Sequence, residues 1–263
     1  MSAQRVVITG AGGIFGRWLA RAFAAAGAQL VLTDGRADAL AAVIAEEAPS
    51  AIGCCVDLAS ASGRAELVAL VADRWGSADV LVNNAGIYPH EDLLATDDDE
   101  MRRIFAVNVE APFALTRDLA AQMVAQGTRG AVVNISSGAA TVPARGGGCY
   151  AASKAALEMF TRVYALELAP LGIRVNTVQP GFAPGSEISD LDDAYIARMS
   201  ANIPLGRVSG PGDAPGAVMY LASEAASFIT GATLAVDGGR TAGTFRSAAR
   251  PEGSADHAQG VVS

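Results

Sequence analysis

Tyr150 and Lys154 stand four residues apart in Tyr150-Ala151-Ala152-Ser153-Lys154, and Ser137 lies thirteen residues upstream, closing Asn134-Ile135-Ser136-Ser137. A phenol is a weak acid, with an ordinary pKa of about 10. A cation fixed beside it favours the phenolate and makes tyrosine a usable proton donor or acceptor. Residues i and i+4 share one face of a helix, so the spacing brings an ammonium to the side of the phenol. A chance pair on an ordinary amphipathic helix would look the same. What surrounds the pair decides between the two.

The N-terminal segment runs Thr9-Gly10-Ala11-Gly12-Gly13-Ile14-Phe15-Gly16 between a strand pattern and a helix pattern. That is the setting of a phosphate-binding glycine loop, in which the backbone approaches a pyrophosphate and the helix N-terminus favours its charge. Asp34 follows at the end of the next strand, 24 residues after Gly10. A carboxylate there accepts hydrogen bonds from ribose hydroxyls and repels a 2′-phosphate. It points to NAD in preference to NADP, with Arg36 two residues on as a counterweight.

These residues need a frame. Short β-branched strands are expected at Arg5–Thr9, Gln29–Thr33, Ile52–Val56, Val80–Asn83, Ala131–Ser136, Arg174–Val178 and Thr233–Val236. They alternate with helices at Gly16–Ala26, Ala37–Glu47, Arg64–Trp75, Thr96–Val124 (one or two helices), Tyr150–Ala169 and Gly212–Ser223. Apolar strands alternating with helices predict a doubly wound parallel sheet, an α/β Rossmann-like three-layer fold in one domain over residues 1–239. The break from Ala183 to Gly206 has the place of a lid. The small, polar stretch 240–263 reads as a flexible tail. In Thr96-Asp97-Asp98-Asp99-Glu100, Thr96 with Asp99 is read as a capping pair at a helix start, not as a metal or acid/base cluster.

The 263 residues are 51% hydrophobic and 17% charged, with a net charge of −8. Such a chain is globular, and its acidic surface argues against nucleic acid as a partner. Mean hydropathy is +0.30, yet no apolar run is long enough to cross a bilayer. The N-terminus enters a strand at once, without a signal-peptide pattern, so the cytoplasm is the expected location and no membrane partner is expected. Cys54, Cys55 and Cys149 suit reduced thiols. Cys149 beside Tyr150 is read as a small packing residue. With only His90 and His257, no metal site is expected.

Taken in order, these motifs resemble the short-chain dehydrogenase/reductase family in its single-domain form, from Arg5 to Gly239, with the 3-oxoacyl carrier-protein reductases similar in layout. The resemblance adds Asp57 and Leu58 at the adenine, Asn84, Ala85 and Gly86 beneath the cofactor, and Pro180 and Gly181 beside the nicotinamide, to Gly10, Gly13, Ile14, Phe15, Gly16 and Asp34. It implies a catalytic set of Asn108, Ser137, Tyr150 and Lys154. Tyr150 would be the acid in carbonyl reduction and the base in alcohol oxidation. Ser137 would hold the substrate oxygen, and Lys154 would bind the nicotinamide ribose and lower the tyrosine pKa. Asn108 would position a water next to Lys154.

Two positions depart from the family pattern. Ile14 replaces a glycine, leaving a G-x-x-G-x-x-G spacing similar to the epimerase-type branch. Gly185 replaces a threonine, with Ser186 as its substitute. The implied activity is hydride transfer between NAD(H) and a secondary alcohol or ketone, the substrate lying against Ala139, Arg145, Phe182 and His90. An NAD-dependent epimerase or dehydratase and a non-catalytic dinucleotide sensor are the alternatives. The resemblance also implies a homotetramer packed through the two long helices and the last strand.

Overall fold

The computed structural model describes residues 3–89, 92–184 and 193–245. Seven parallel strands form one sheet: β1 (Arg5–Thr9), β2 (Gln29–Asp34), β3 (Ile52–Cys55), β4 (Val80–Asn83), β5 (Ala131–Ile135), β6 (Arg174–Pro180) and β7 (Thr233–Val236). Their spatial order is β3-β2-β1-β4-β5-β6-β7. β2 and β4 flank β1, so the chain reverses direction across the sheet there. A crevice therefore opens outside the carboxyl ends of β1 and β4, the place where such sheets bind ligands. The register sets Ile8 opposite Val82 and Asn83 opposite Asn134, bringing the ends of β1, β4 and β5 to one rim.

The helices are α1 (Ile14–Ala25), α2 (Ala37–Glu47), α3 (Ala61–Trp75), α4 (Asp98–Phe105), α5 (Ala111–Ala125), α6 (Gly148–Leu168), α7 (Asp193–Ala201) and α8 (Asp213–Ala222). Alternation along the strands divides the core in two. Val6, Ile8, Leu32, Val82, Val133 and Val178 face Leu19, Phe23, Leu40, Val43 and Val218. Val7, Val31, Leu81, Val132 and Val175 face Leu67, Val71, Leu115, Leu119 and Met123. Both faces are covered, which is why the strands are apolar throughout.

Most of the expected elements are present, with boundaries moved by one to three residues. The long helical stretch after Thr96 is α4 and α5 joined by a π turn, Ala106–Glu110. The cap of α4 is a correction: Asp97, not Thr96, accepts from the Glu100 amide at 2.8 Å. Thr96 instead donates to the Asp92 carbonyl, and Asp99 pairs with Arg102. The acids still mark a helix start, as their charge favours. The Ala183–Gly206 segment contains α7, a helix the sequence pattern did not show. Gly185, Ser186, His90, His257 and 246–263 lie outside the described residues. Of the tail, residues 240–245 are described, and Thr241 is tied to Asp237 through its amide (2.8 Å) and hydroxyl (2.6 Å). Among the described residues no helix is long and apolar enough to cross a membrane.

Candidate active site

The glycine loop is built by contacts that exclude side chains. Gly10 has φ +63°, and a Cβ there would lie 2.6 Å from the Ala85 Cα. At Gly16 a Cβ would lie 2.2 Å from the Gly10 carbonyl oxygen. Both positions therefore require glycine, whichever ligand is bound. Gly13 ends the loop as the N-cap of α1, and a Cβ there would meet only the Gly10 carbonyl oxygen, in ordinary contact at 3.6 Å. Ile14 and Phe15 open α1, and the Phe15 ring turns back onto Trp18 in an edge-to-face contact at 5.3 Å. Thr9, which the sequence reading left unassigned, fastens loop to strand. Its hydroxyl accepts from the amides of Asn84 and Ala85, both at 3.0 Å. Asn84 in turn donates to the carbonyls of Thr9 and Gly10.

Asp34 is buried at the end of β2. One carboxylate oxygen accepts from the Gly12 amide at 2.9 Å, and the other accepts from the Arg36 amide and guanidinium. Gly12 is therefore part of this site, although its spacing gave no such signal. Asp57 is exposed at the end of β3 and caps the turn into α3 through the Ala59 amide. The Leu58 side chain belongs to the core cluster that holds Val7 and Leu67. Pro180 ends β6, and the Gly181 amide bonds the Val236 carbonyl at 2.8 Å. A Cβ at Gly181 would come within 3.0 Å of the Asp237 Cα.

Around Tyr150 the structure gathers the expected set. Lys154 is 4% exposed and donates to the Ile135 carbonyl at 2.9 Å. Gly86 lies against it: a Cβ there would stand 3.2 Å from the Lys154 Nζ and 3.3 Å from the Asn108 Oδ1. Asn108 is fully buried in the π turn. It donates to the Ile87 carbonyl and the Ser153 hydroxyl, and accepts from the Ile87 amide. Pro112 explains the turn's place. Having no N–H, it cannot bond the Asn108 carbonyl four residues back, so the regular ladder fails there. Ser137 lies near enough to Tyr150 to hold its phenol pKa down, and it accepts from the Ala139 amide at 3.2 Å.

The electrostatics correct one expectation. Burial pushes the Tyr150 phenol above its ordinary value, the Ser137 hydrogen bond works against this, and Tyr88 adds to it. The net direction is upward even with the Lys154 ammonium over the ring, 5.8 Å from the centroid. The lysine is itself moved, burial taking it down to about 8 against the pull of Glu158. Tyr88, absent from the sequence reading, stands edge-on to Tyr150 at 6.2 Å. Cys149 is partly buried and, with Pro89, Thr96 and Ile104, lines a small cavity beside Tyr150. Cys54 is buried, which raises its thiol pKa. Among the described residues no cluster of His, Cys, Asp and Glu could hold a metal.

With this geometry in hand, the comparisons with known proteins agree. The family model described as Enoyl-(Acyl carrier protein) reductase matches residues 10–241. The chain is 38% identical to a galactitol 2-dehydrogenase (L-tagatose-forming) of Cereibacter sphaeroides, over 89% of this chain and 93% of that protein. A gluconate 5-dehydrogenase of Burkholderia cenocepacia, solved with NADP and tartrate, superposes with TM-score 0.85 at 31% identity, covering 93% of this chain and 97% of that one. A 3-ketoacyl-(acyl-carrier-protein) reductase of Brucella melitensis, complexed with NADH, gives 0.81 at 31% identity, covering 90% and 98%. The chain belongs to the short-chain dehydrogenase/reductase family. It is an oxidoreductase that uses a nicotinamide dinucleotide on CH–OH groups or their carbonyls.

The buried ammonium gives a pH signature. Lys154 has a folded pKa of about 8 against an ordinary 10.5. Between those values the unfolded chain still holds the proton that the folded chain has released, so stability rises with pH through this window. The change is on the order of 3 kcal/mol at most. The thermal midpoint of Lys154→Met, measured from pH 7 to 10.5, should therefore lose ground to wild type as pH rises. A constant difference would contradict the assignment.

Proposed function

We propose that Tyr150 is the proton carrier in NAD(H)-dependent interconversion of a secondary alcohol and its ketone. The observation that carries this is the convergence of Ser137, Tyr150 and Lys154 at the crevice rim, with Asn108 and Gly86 behind the ammonium. The bound nicotinamide supplies or accepts the hydride. Ser137 holds the substrate oxygen and stabilises charge developing on it. Tyr150 delivers a proton to that oxygen in reduction and removes one in oxidation. Its raised pKa keeps the proton on near neutrality, which suits the acid role, so oxidation should gain with rising pH. Lys154 binds the nicotinamide ribose and carries the compensating charge. Asn108 fixes the Gly86–Ile87 backbone against α6 and so sets where that ammonium lies.

The residues fit a dinucleotide: Gly10 and Gly13 leave a bare backbone at the helix start, and Gly86 leaves room beside Lys154. NAD is favoured over NADP because the Asp34 carboxylate would face the ribose, and its bonds to Arg36 engage that cation. Polyols and sugar acids are the first substrates to try, since the relatives include proteins named for galactitol and gluconate. An assembly of four copies is supported by apolar side chains exposed on α5 and α6 (Phe113, Met159, Val163, Leu166) and around β7 (Tyr220, Phe228, Leu234).

Three outcomes are expected. In a panel of polyols and secondary alcohols followed by reduced-nicotinamide absorbance, Tyr150→Phe should lose about 10²–10⁴-fold in kcat while binding NADH within a few-fold of wild type. Retained turnover would remove Tyr150 from the chemistry. Asp34→Asn keeps hydrogen-bonding groups for Gly12 and removes the charge. The NADP/NAD ratio of kcat/KM should rise about tenfold, about 1.4 kcal/mol, and an unchanged ratio would refute the Asp34 reading. Light scattering should give about four times the 26.6 kDa chain mass; a monomer mass would refute the assembly.

A further inference from the structure

Glu158 lies one turn beyond Lys154 on α6, at the spacing that shares a helix face. The mechanism above does not use it, yet its contacts converge on the site. One carboxylate oxygen accepts from the Ser136 hydroxyl at 2.6 Å and from the Gln179 amide nitrogen at 2.7 Å. Gln179 also donates to the Thr141 hydroxyl at 3.0 Å. Ser136 and Gln179 are each 3% exposed and Glu158 is half-buried, so the two donors are shielded from water and would be costly to leave without a partner.

The chain positions are telling. Ser136 directly precedes Ser137, Gln179 directly precedes the Pro180–Gly181 turn, and Thr141 ends the short 3₁₀ turn that Ser137 caps. β5 and β6 pair up to Ile135 and Val178, and the Ser136 amide extends that pairing with one bond to the Val178 carbonyl. Beyond it, the two strand ends are joined through Glu158.

We propose that Glu158 is a positioning residue: a single carboxylate that ties the ends of β5 and β6 together, fixing Ser137 and the Pro180–Gly181 turn, and that serves as counter-charge to Lys154. The inference rests on the reading of Ser137, Tyr150 and Lys154 as the reacting set.

Glu158 is the charged group that acts on Lys154. On α6 the other titratable neighbour is Tyr150, with Tyr88 beyond it. The β5 end, the Gly86 loop and the π turn present the Ile135 carbonyl, bare backbone and the Asn108 amide. The charges of α4 pair among themselves, Arg102 with Asp98 and Asp99, and Arg103 with Glu100. Arg117 of α5 pairs with Asp118, and Arg174 at the far end of β6 bonds the Leu221 and Ser223 carbonyls.

The test separates clamp from charge. Glu158→Gln keeps an acceptor for Ser136 and Gln179 but carries no charge. In the reduction direction its alkaline loss of kcat/KM should begin about half a unit to one unit lower in pH than in wild type, with a thermal midpoint close to wild type. Gln179→Met keeps the charge and cuts the link to β6, so kcat should fall about tenfold or more with the pH profile unmoved. Glu158→Asp should recover part of the profile. If Glu158→Gln and Gln179→Met both keep wild-type kcat and wild-type profiles, the inference is overturned. Should Glu158→Gln fail to fold, Gln179→Met alone decides the clamp, and wild-type kcat there overturns it. Failure of the underlying reading looks different: Tyr150→Phe and Lys154→Met would then stay active.

Discussion

A buried ammonium is costly unless the protein supplies partners for it, and the site is organised around that demand. Lys154 is held by the Ile135 carbonyl at the last residue of β5, under the glycine of the Gly86 loop, beside an asparagine and within the field of a carboxylate one turn away. Each partner comes from a different element. The ammonium therefore sets the relative positions of β5, the β4 loop, the π turn and α6, and Tyr150 and Ser137 are carried along with them.

The parallel sheet makes this convergence possible. Its rim brings the ends of β1, β4, β5 and β6 together, and polar residues stitch them below the surface. Asn83 bonds Asn134 at 2.8 Å, Asn134 bonds Thr161, and Thr177 bonds Thr161. This chain of amides and hydroxyls runs from β4 through β5 to α6 and β6, just beneath the reacting groups. Such a network favours one arrangement of its strands, although the Asn83 Oδ1 is buried without a hydrogen-bond partner among the described residues. Asp237 plays a similar part after β7: burial works to raise its pKa, but hydrogen bonds from Thr241 and from the Gly239 amide outweigh that and hold it below the ordinary value. The carboxylate thus anchors the start of the C-terminal tail, whose Thr241 methyl lies near Gly138.

What could be read in the sequence was what is local in the chain. Strand periods, the glycine loop before α1, the acid after β2 and the Tyr-Lys spacing each declare themselves within a few residues. The alternation of strands and helices then fixed the layers. The π turn left a faint local trace, Pro112 four residues after Asn108, but an asparagine inside an apolar helix also passes for packing. Thr9, Gly12, Tyr88 and Glu158 gave no signal. Their hydrogen bonds span 21 or more residues, or depend on a fold that brings Tyr88 over Tyr150. The net direction of the Tyr150 pKa was hidden for a similar reason: spacing gives the shared face with Lys154, while burial, the largest cause of the upward shift, is set by the whole fold.

The proposed chemistry depends on where two oxygens point. A crystal structure of the chain with bound dinucleotide and a secondary alcohol tests it most directly. The Tyr150 hydroxyl and the Ser137 Oγ should both lie within about 3 Å of the alcohol oxygen, with the Lys154 ammonium on the nicotinamide ribose. An alcohol oxygen bound away from either hydroxyl, or a ribose out of reach of Lys154, would contradict it.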